Sequence, residues 1–117
     1  MKNLINLEPE LFSLDQKKIL EKKFKYKEVN KKRNEIKKII SKYEIILCRL
    51  KYQFDSNLLK YATKLEVLVT FTTGLTHIDL KEINKRKIKI ISLKNENAFL
   101  KNIYSSSEFT FLMILSI

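Results

Sequence analysis

Apolar residues along this chain fall into two kinds of run, and the kinds alternate. Asn3-Leu4-Ile5-Asn6-Leu7 is a short extended run that Pro9 ends. Ser13 followed by Gln16 has capping-box spacing and predicts a helix to about Lys22. Phe24 to Val29 alternates apolar and polar residues, which predicts a strand with one buried face near a sheet edge. From Asn30 to Lys42 the period changes. Ile36, Ile39, Ile40 and Tyr43 there share one helical face. Ile45-Ile46-Leu47-Cys48 is apolar at every position, as a strand covered on both faces must be. Asp55 can cap a helix that carries Leu58, Leu59, Ala62 and Leu65 inward, and Val67-Leu68-Val69 is the next doubly buried strand. Asp79 and Glu82 again have capping-box spacing, for a short helix with Ile83 inward. Ile88-Lys89-Ile90-Ile91 is the last strand.

The later strands start at positions 45, 67 and 88, intervals of 22 and 21 residues. Each interval holds a strand, a crossover helix and the way back, so a parallel βαβ array is predicted. Right-handed crossovers make this an open, doubly wound α/β sheet, and five strands suit the flavodoxin-like order 2-1-3-4-5. After a loop from Leu93 to about Tyr104, Ser105-Ser106-Ser107-Glu108 reads as a helix start. The nine residues Phe109 to Ile117 that follow include seven apolar ones, so this helix lacks the polar face that water requires. It is expected to pack into a partner chain or against a second domain.

Composition narrows the picture. At 44% hydrophobic and 32% charged residues the chain is globular rather than disordered. A net charge of +11 raises nucleic acid or an anionic membrane surface as partners. The lysines, however, alternate with Glu21, Glu28 and Glu35, and few aromatic rings sit among them. That pattern is a solvated helix surface, so nucleic acid is set aside. No run approaches the roughly 20 apolar residues of a membrane span, and the N-terminus does not read as a signal peptide. The cytoplasm is the expected location. Cys48 is the only cysteine, which excludes an internal disulfide and a Cys/His zinc set. Within its apolar run it reads as a buried, inert thiol, and no metal site is expected.

The candidate chemistry lies in Val67 to Asp79, which holds the only glycine and the only histidine. An apolar strand there feeds a short polar turn and then a helix cap. On pattern alone Thr73-Gly74 is either an ordinary strand-to-helix turn or half of an anion site. Two adjacent outward N–H groups make an anion-binding concavity, and a glycine lets a ligand approach closely or takes φ > 0 if the turn requires it. His77 reads as a loop residue near a cap, Asp79 as that cap, and Arg49 as a solvated residue at a strand end with some claim on the cleft. The hydroxyl of Thr110 can bond its own helix. A single glycine cannot form a dinucleotide-binding fingerprint.

Five pieces in order carry a resemblance: Ile45 to Arg49, Leu65 to Thr70, Thr73-Gly74-Leu75-Thr76-His77-Ile78-Asp79-Leu80, Ile88 to Leu93, and Ser107 to Thr110. Together the chain resembles the N-terminal substrate-binding part of the D-isomer-specific 2-hydroxyacid dehydrogenases, most strongly from Tyr43 to Leu115. The resemblance implies a flavodoxin-like substrate-binding domain over 1–104 and the start of an interdomain helix over 105–117. It implies that the NAD-binding Rossmann domain lies outside this sequence. Backbone amides at Thr73 and Gly74, with Thr72 beside them, would hold the carboxylate of a 2-hydroxy or 2-keto acid. Thr110 would lie near the nicotinamide of NAD in the complete enzyme. The family's catalytic Arg, Glu and His fall after residue 117, so no catalytic residue is expected here and His77 is not the catalytic histidine. A truncated or split dehydrogenase, inactive alone, is thus one expectation. The other is a stand-alone module that pairs through Phe109–Ile117 with a second copy or a separately encoded NAD-binding domain. Thr72 and Lys87 stand where the family commonly has glycine, and Lys87 costs strain if its φ is positive.

Overall fold

The doubly apolar runs become the middle of one parallel sheet. In the computed structural model, which describes residues 1–93 and 106–117, the strands are β1 (Asn3–Asn6), β2 (Lys25–Glu28), β3 (Ile45–Cys48), β4 (Val67–Thr70) and β5 (Lys89–Ser92). Their spatial order is β2-β1-β3-β4-β5, the order expected from the spacing. Register is set by the apolar positions: Ile5 lies beside Ile46, Ile46 beside Leu68, and Leu68 beside Ile90. The alternating strand β2 is at the edge, with exposed Lys25 and Lys27.

Successive residues of β1, β3 and β4 point to opposite faces, and a core forms on each side. One core joins Ile5, Ile46, Cys48 and Leu68 to Ile36, Ile40, Leu58, Leu59 and Ile83. These come from α2 (Arg33–Ile39) with the 3-10 turn after it, α3 (Ser56–Leu59) and α4 (Leu80–Lys85). The other core joins Leu4, Ile45, Leu47, Val67, Val69 and Ile91 to Leu20, Phe111 and Ile114. These last three belong to α1 (Leu14–Lys23) and α5 (Ser106–Leu115). The six-residue α4 is far below the ~12–15 residues that let a helix persist alone. Burial of Ile83, which contributes about 1.5–3 kcal/mol, and the Asp79 cap hold it in place.

The caps follow the sequence. Both bonds of the Ser13–Gln16 capping box form, and Asp79 accepts the Glu82 N–H at 3.2 Å. Asp55 accepts the Leu58 N–H at 2.9 Å and its carboxyl is held below the usual range, first by that bond and also by Arg33. Two expectations are corrected. The helix expected between Asn30 and Lys42 starts only at Arg33 and tightens to 3-10 geometry at Ile40–Lys42. The helix after Asp55 stops at Leu59, although Ala62 and Leu65 are still buried. Beyond the stop, the Arg86 guanidinium donates to the carbonyls of Leu59 and Ala62. Tight turn bonds replace the helical ladder there, from the N–H of Tyr61 to Leu58 and of Ala62 to Leu59.

The expected loop falls mostly on 94–105, outside the described residues. The helix after it lies on its own sheet, buries Phe111 and Ile114, and leaves Leu112 43% exposed, so only part of its apolar surface is unpartnered.

The end of α4 carries the one positive φ among non-glycine residues described, Lys87 at 55°. Ile88 N–H donates to Ile83 O at 3.0 Å and Lys87 N–H to Asn84 O at 3.1 Å, the paired bonds of a Schellman motif. Buried Ile83 and Ile88 close the accompanying apolar contact. A left-handed conformation costs a residue with a Cβ about 1–2 kcal/mol. Replacing exposed Lys87 by glycine is therefore expected to raise unfolding free energy by about 1 kcal/mol, while Lys87→Ala leaves it near the original value. Urea unfolding of the three proteins checks this, and equal midpoints for the glycine and alanine variants would contradict it.

Candidate functional site

Parallel strands end at a common edge, so β3, β4 and β5 deliver Arg49, Phe71 and Leu93 to one place. A cleft of about 340 Å³ opens there, lined by Arg49, Leu50, Phe71, Thr72, Thr73, Gly74, Thr76, His77 and Leu93. A neighbouring cavity of about 250 Å³ shares Arg49, Phe71 and Leu93 with it and adds Leu11, Phe12 and Gln16. The Phe12 ring meets Phe71 edge-on at 5.2 Å, so this wall is apolar.

The turn after β4 is tied at both sides. Phe71 N–H donates to Cys48 O at 2.9 Å, and Leu93 N–H donates to Thr72 O at 3.1 Å. The Thr72 hydroxyl donates to Gly74 O at 2.7 Å. Thr72 thus braces the turn. Among the described residues no acceptor takes the N–H of Thr73 or of Gly74, and both residues are exposed. Gly74 does not have positive φ, and a Cβ built on it would meet nothing within 4 Å. The turn therefore does not need glycine for its own geometry.

Positive charge enters with Arg49, which is exposed on the cleft. Its backbone N–H is taken by the Glu8 carboxylate, which also accepts from Lys51 N–H at 3.4 Å. Glu8 is 7% exposed and its own N–H donates to the Asn6 side chain at 3.1 Å, so this buried carboxylate is fixed by the ends of β1 and β3.

His77 is a loop residue near the Asp79 cap, as the sequence reads, and the structure adds what the sequence did not show: it is buried at 6% exposure and lines the cleft. Phe54 N–H donates to His77 O at 2.7 Å and Asp79 N–H to Phe54 O at 2.8 Å, which clamps the backbone on both sides of Ile78. On the side chain, Nε2 lies 2.9 Å from the Thr70 hydroxyl, which lies 2.9 Å from that of Thr72. Nδ1 is buried with no partner among the described residues. Burial pushes the imidazole pKa down, and the Glu8 carboxylate opposes this more weakly. The signal available in the sequence was the spacing Thr70, Thr72, His77, which becomes legible only once the turn folds back.

Cys48 is 1% exposed, and burial pushes its thiol far above the ordinary range. Thr110 sits buried in α5 at 1% exposure and is not among the cleft-lining residues. No cluster of metal-ligating side chains occurs among the described residues, and none of the helices described is long and apolar enough to cross a membrane.

Comparison with known proteins places this geometry. The family described as D-isomer specific 2-hydroxyacid dehydrogenase, catalytic domain, matches residues 7–98. No curated protein matches by sequence. Among solved structures, the D-lactate dehydrogenase of Aquifex aeolicus, complexed with NAD and lactic acid, is 24% identical with a TM-score of 0.60 over 97% of this chain. The NAD+-bound 3-phosphoglycerate dehydrogenase of Entamoeba histolytica is 19% identical with a TM-score of 0.67 over 79%. The D-mandelate dehydrogenase of Rhodotorula graminis is 17% identical with a TM-score of 0.65 over 80%. At these identities the likeness is one of fold. This chain spans 32%, 32% and 31% of their lengths respectively, about a third in each case.

Burial of His77 gives stability a pH dependence. Its folded pKa lies below the unfolded value, so the unfolded chain binds the proton more readily. The stabilisation is complete above the unfolded value of about 6.5 and is lost progressively as pH falls below it. The urea midpoint is expected to fall between about pH 7 and pH 5, and to fall less in His77→Gln. An identical fall in both proteins would assign the effect to other groups.

Proposed function

The chain belongs to the D-isomer specific 2-hydroxyacid dehydrogenase family, through that family's catalytic domain, and we propose that it is the substrate-binding part of an NAD-dependent oxidoreductase acting on the CH–OH group of 2-hydroxy acids. The observation that carries this reading is the pair of unspent N–H groups at Thr73 and Gly74. They lie in a cleft at the carboxyl ends of the strands, with the Arg49 guanidinium on the same cleft. Hydrogen bonds from two amides to a carboxylate are charge-assisted and stronger than neutral ones. The open space at Gly74 lets that carboxylate come close to the backbone. Phe71 and Leu93 then offer an apolar wall to the rest of the acid.

NAD, when bound to a complete enzyme, supplies the hydride acceptor or donor for C2 of the acid. The residues here do not fit a dinucleotide, because Gly74 is the only glycine and the phosphate-binding turn of such a site uses three. On our reading the cofactor site, the base and the cation of the reaction come from outside this sequence, as a further stretch or a separate chain. The Thr73 and Gly74 amides bind and orient the carboxylate, Thr72 beside them holds their turn through its hydroxyl, and no proton transfer is assigned to any of the three.

Addition of pyruvate or lactate to ¹⁵N-labelled chain is expected to shift the Thr73 and Gly74 amide signals first and most. Thr73→Pro, which removes one N–H, weakens binding by roughly tenfold or more. No NADH turnover with pyruvate is expected from this chain alone. Shifts confined to other parts of the sheet, or measurable turnover, would refute the reading.

A further inference from the structure

The Thr73-Gly74 turn has little of its own to hold it. Glycine has the widest backbone freedom of any residue, and neither amide is engaged by the described structure. Backbone bonds tie the residues before it, at Phe71 and Thr72, and the contact that reaches Gly74 itself is the Thr72 hydroxyl on its carbonyl, along which the protons run one way. A carbonyl cannot donate, so at 2.7 Å Thr72 must give its only hydroxyl proton to Gly74 O. Its oxygen can then only accept from Thr70, 2.9 Å away. Thr70 has in turn given up its proton and must accept from His77 Nε2 at 2.9 Å. The chain of donors is thus His77 to Thr70 to Thr72 to Gly74 O, and its source is a residue whose backbone carbonyl is held by the Phe54 N–H.

We propose that His77 is a positioning residue: as the Nε2–H tautomer it drives a one-way relay through Thr70 and Thr72 that fixes the turn and keeps the Thr73 and Gly74 amides presented to a carboxylate. This rests on the carboxylate-binding reading of the cleft and names what holds that site in shape. The unpartnered Nδ1 is the bare side of the ring in this tautomer. An acceptor buried without a partner carries a cost, and the relay is what the ring gains in return. With Thr70 fully buried and Thr72 8% exposed, water competes poorly for these hydroxyls.

The single histidine makes the test unambiguous. Nitrogen spectra of ¹⁵N-histidine-labelled chain near neutral pH are expected to show the proton on Nε2 and a bare Nδ1. A proton on Nδ1, or on both nitrogens, overturns the proposal. In backbone ¹⁵N relaxation without ligand, Gly74 is expected to be as rigid as the sheet in the native chain and in His77→Gln, whose amide can still donate to Thr70. It becomes mobile in His77→Leu and in the milder Thr70→Val. Pyruvate affinity follows the same division, within about threefold of native for His77→Gln and roughly tenfold weaker for the other two. Equal Gly74 rigidity in all four proteins sinks the relay. Gly74 rigid as expected with no pyruvate binding to the native chain sinks the carboxylate reading and leaves the relay standing.

Discussion

A parallel sheet whose strands are apolar on both sides has to be covered on both sides, and everything else in this chain follows from meeting that condition. Ile45 to Cys48 and Val67 to Thr70 are buried at every position, so helices must lie on each face and every connection must cross over. Crossovers keep the strands parallel and bring their carboxyl ends to one edge. At that edge the continuous apolar runs give way to polar residues that cannot reach water: Asn6, Thr70 and Ser92 are buried at the ends of β1, β4 and β5. Asn6 pairs with the Tyr26 hydroxyl and the Glu8 N–H, and Thr70 with Thr72 and His77, which line the cleft.

The strands and their order were legible because a doubly apolar run has few interpretations, and because intervals of 22 and 21 residues admit one kind of connection. The caps at Ser13, Asp55 and Asp79 were legible for the same local reason. What was hidden depends on residues far away in sequence. Leu58, Leu59, Ala62 and Leu65 keep helical spacing, yet α3 ends after Leu59, where the carbonyl of Leu59 accepts from Arg86, 27 residues beyond. The left-handed conformation of Lys87 was foreseen only as a condition, through the resemblance, since the Schellman bonds that demand it are made by the fold. His77 reads as a loop residue near a cap, and its burial becomes visible only when Phe54 pairs with Ile78 beside it.

The same contrast holds at the site. Thr73 and Gly74 stood out in the sequence as a turn at a strand end, and their amides are unspent in the structure. Thr72 braces the turn through its hydroxyl. Glycine at position 74 is not needed for φ or for internal space. The open space at Gly74 leaves its backbone accessible from outside, as the proposed carboxylate site requires.

The central claim is that this edge of the sheet is a carboxylate cradle, one wall of a larger active site. A crystal structure of the chain grown with pyruvate tests it most directly. The account predicts the carboxylate bound to the N–H groups of Thr73 and Gly74, with Arg49 facing it and the Thr72 hydroxyl still on Gly74 O. Pyruvate bound elsewhere, or those two amides engaged by other protein groups while the cleft stays empty, would contradict it.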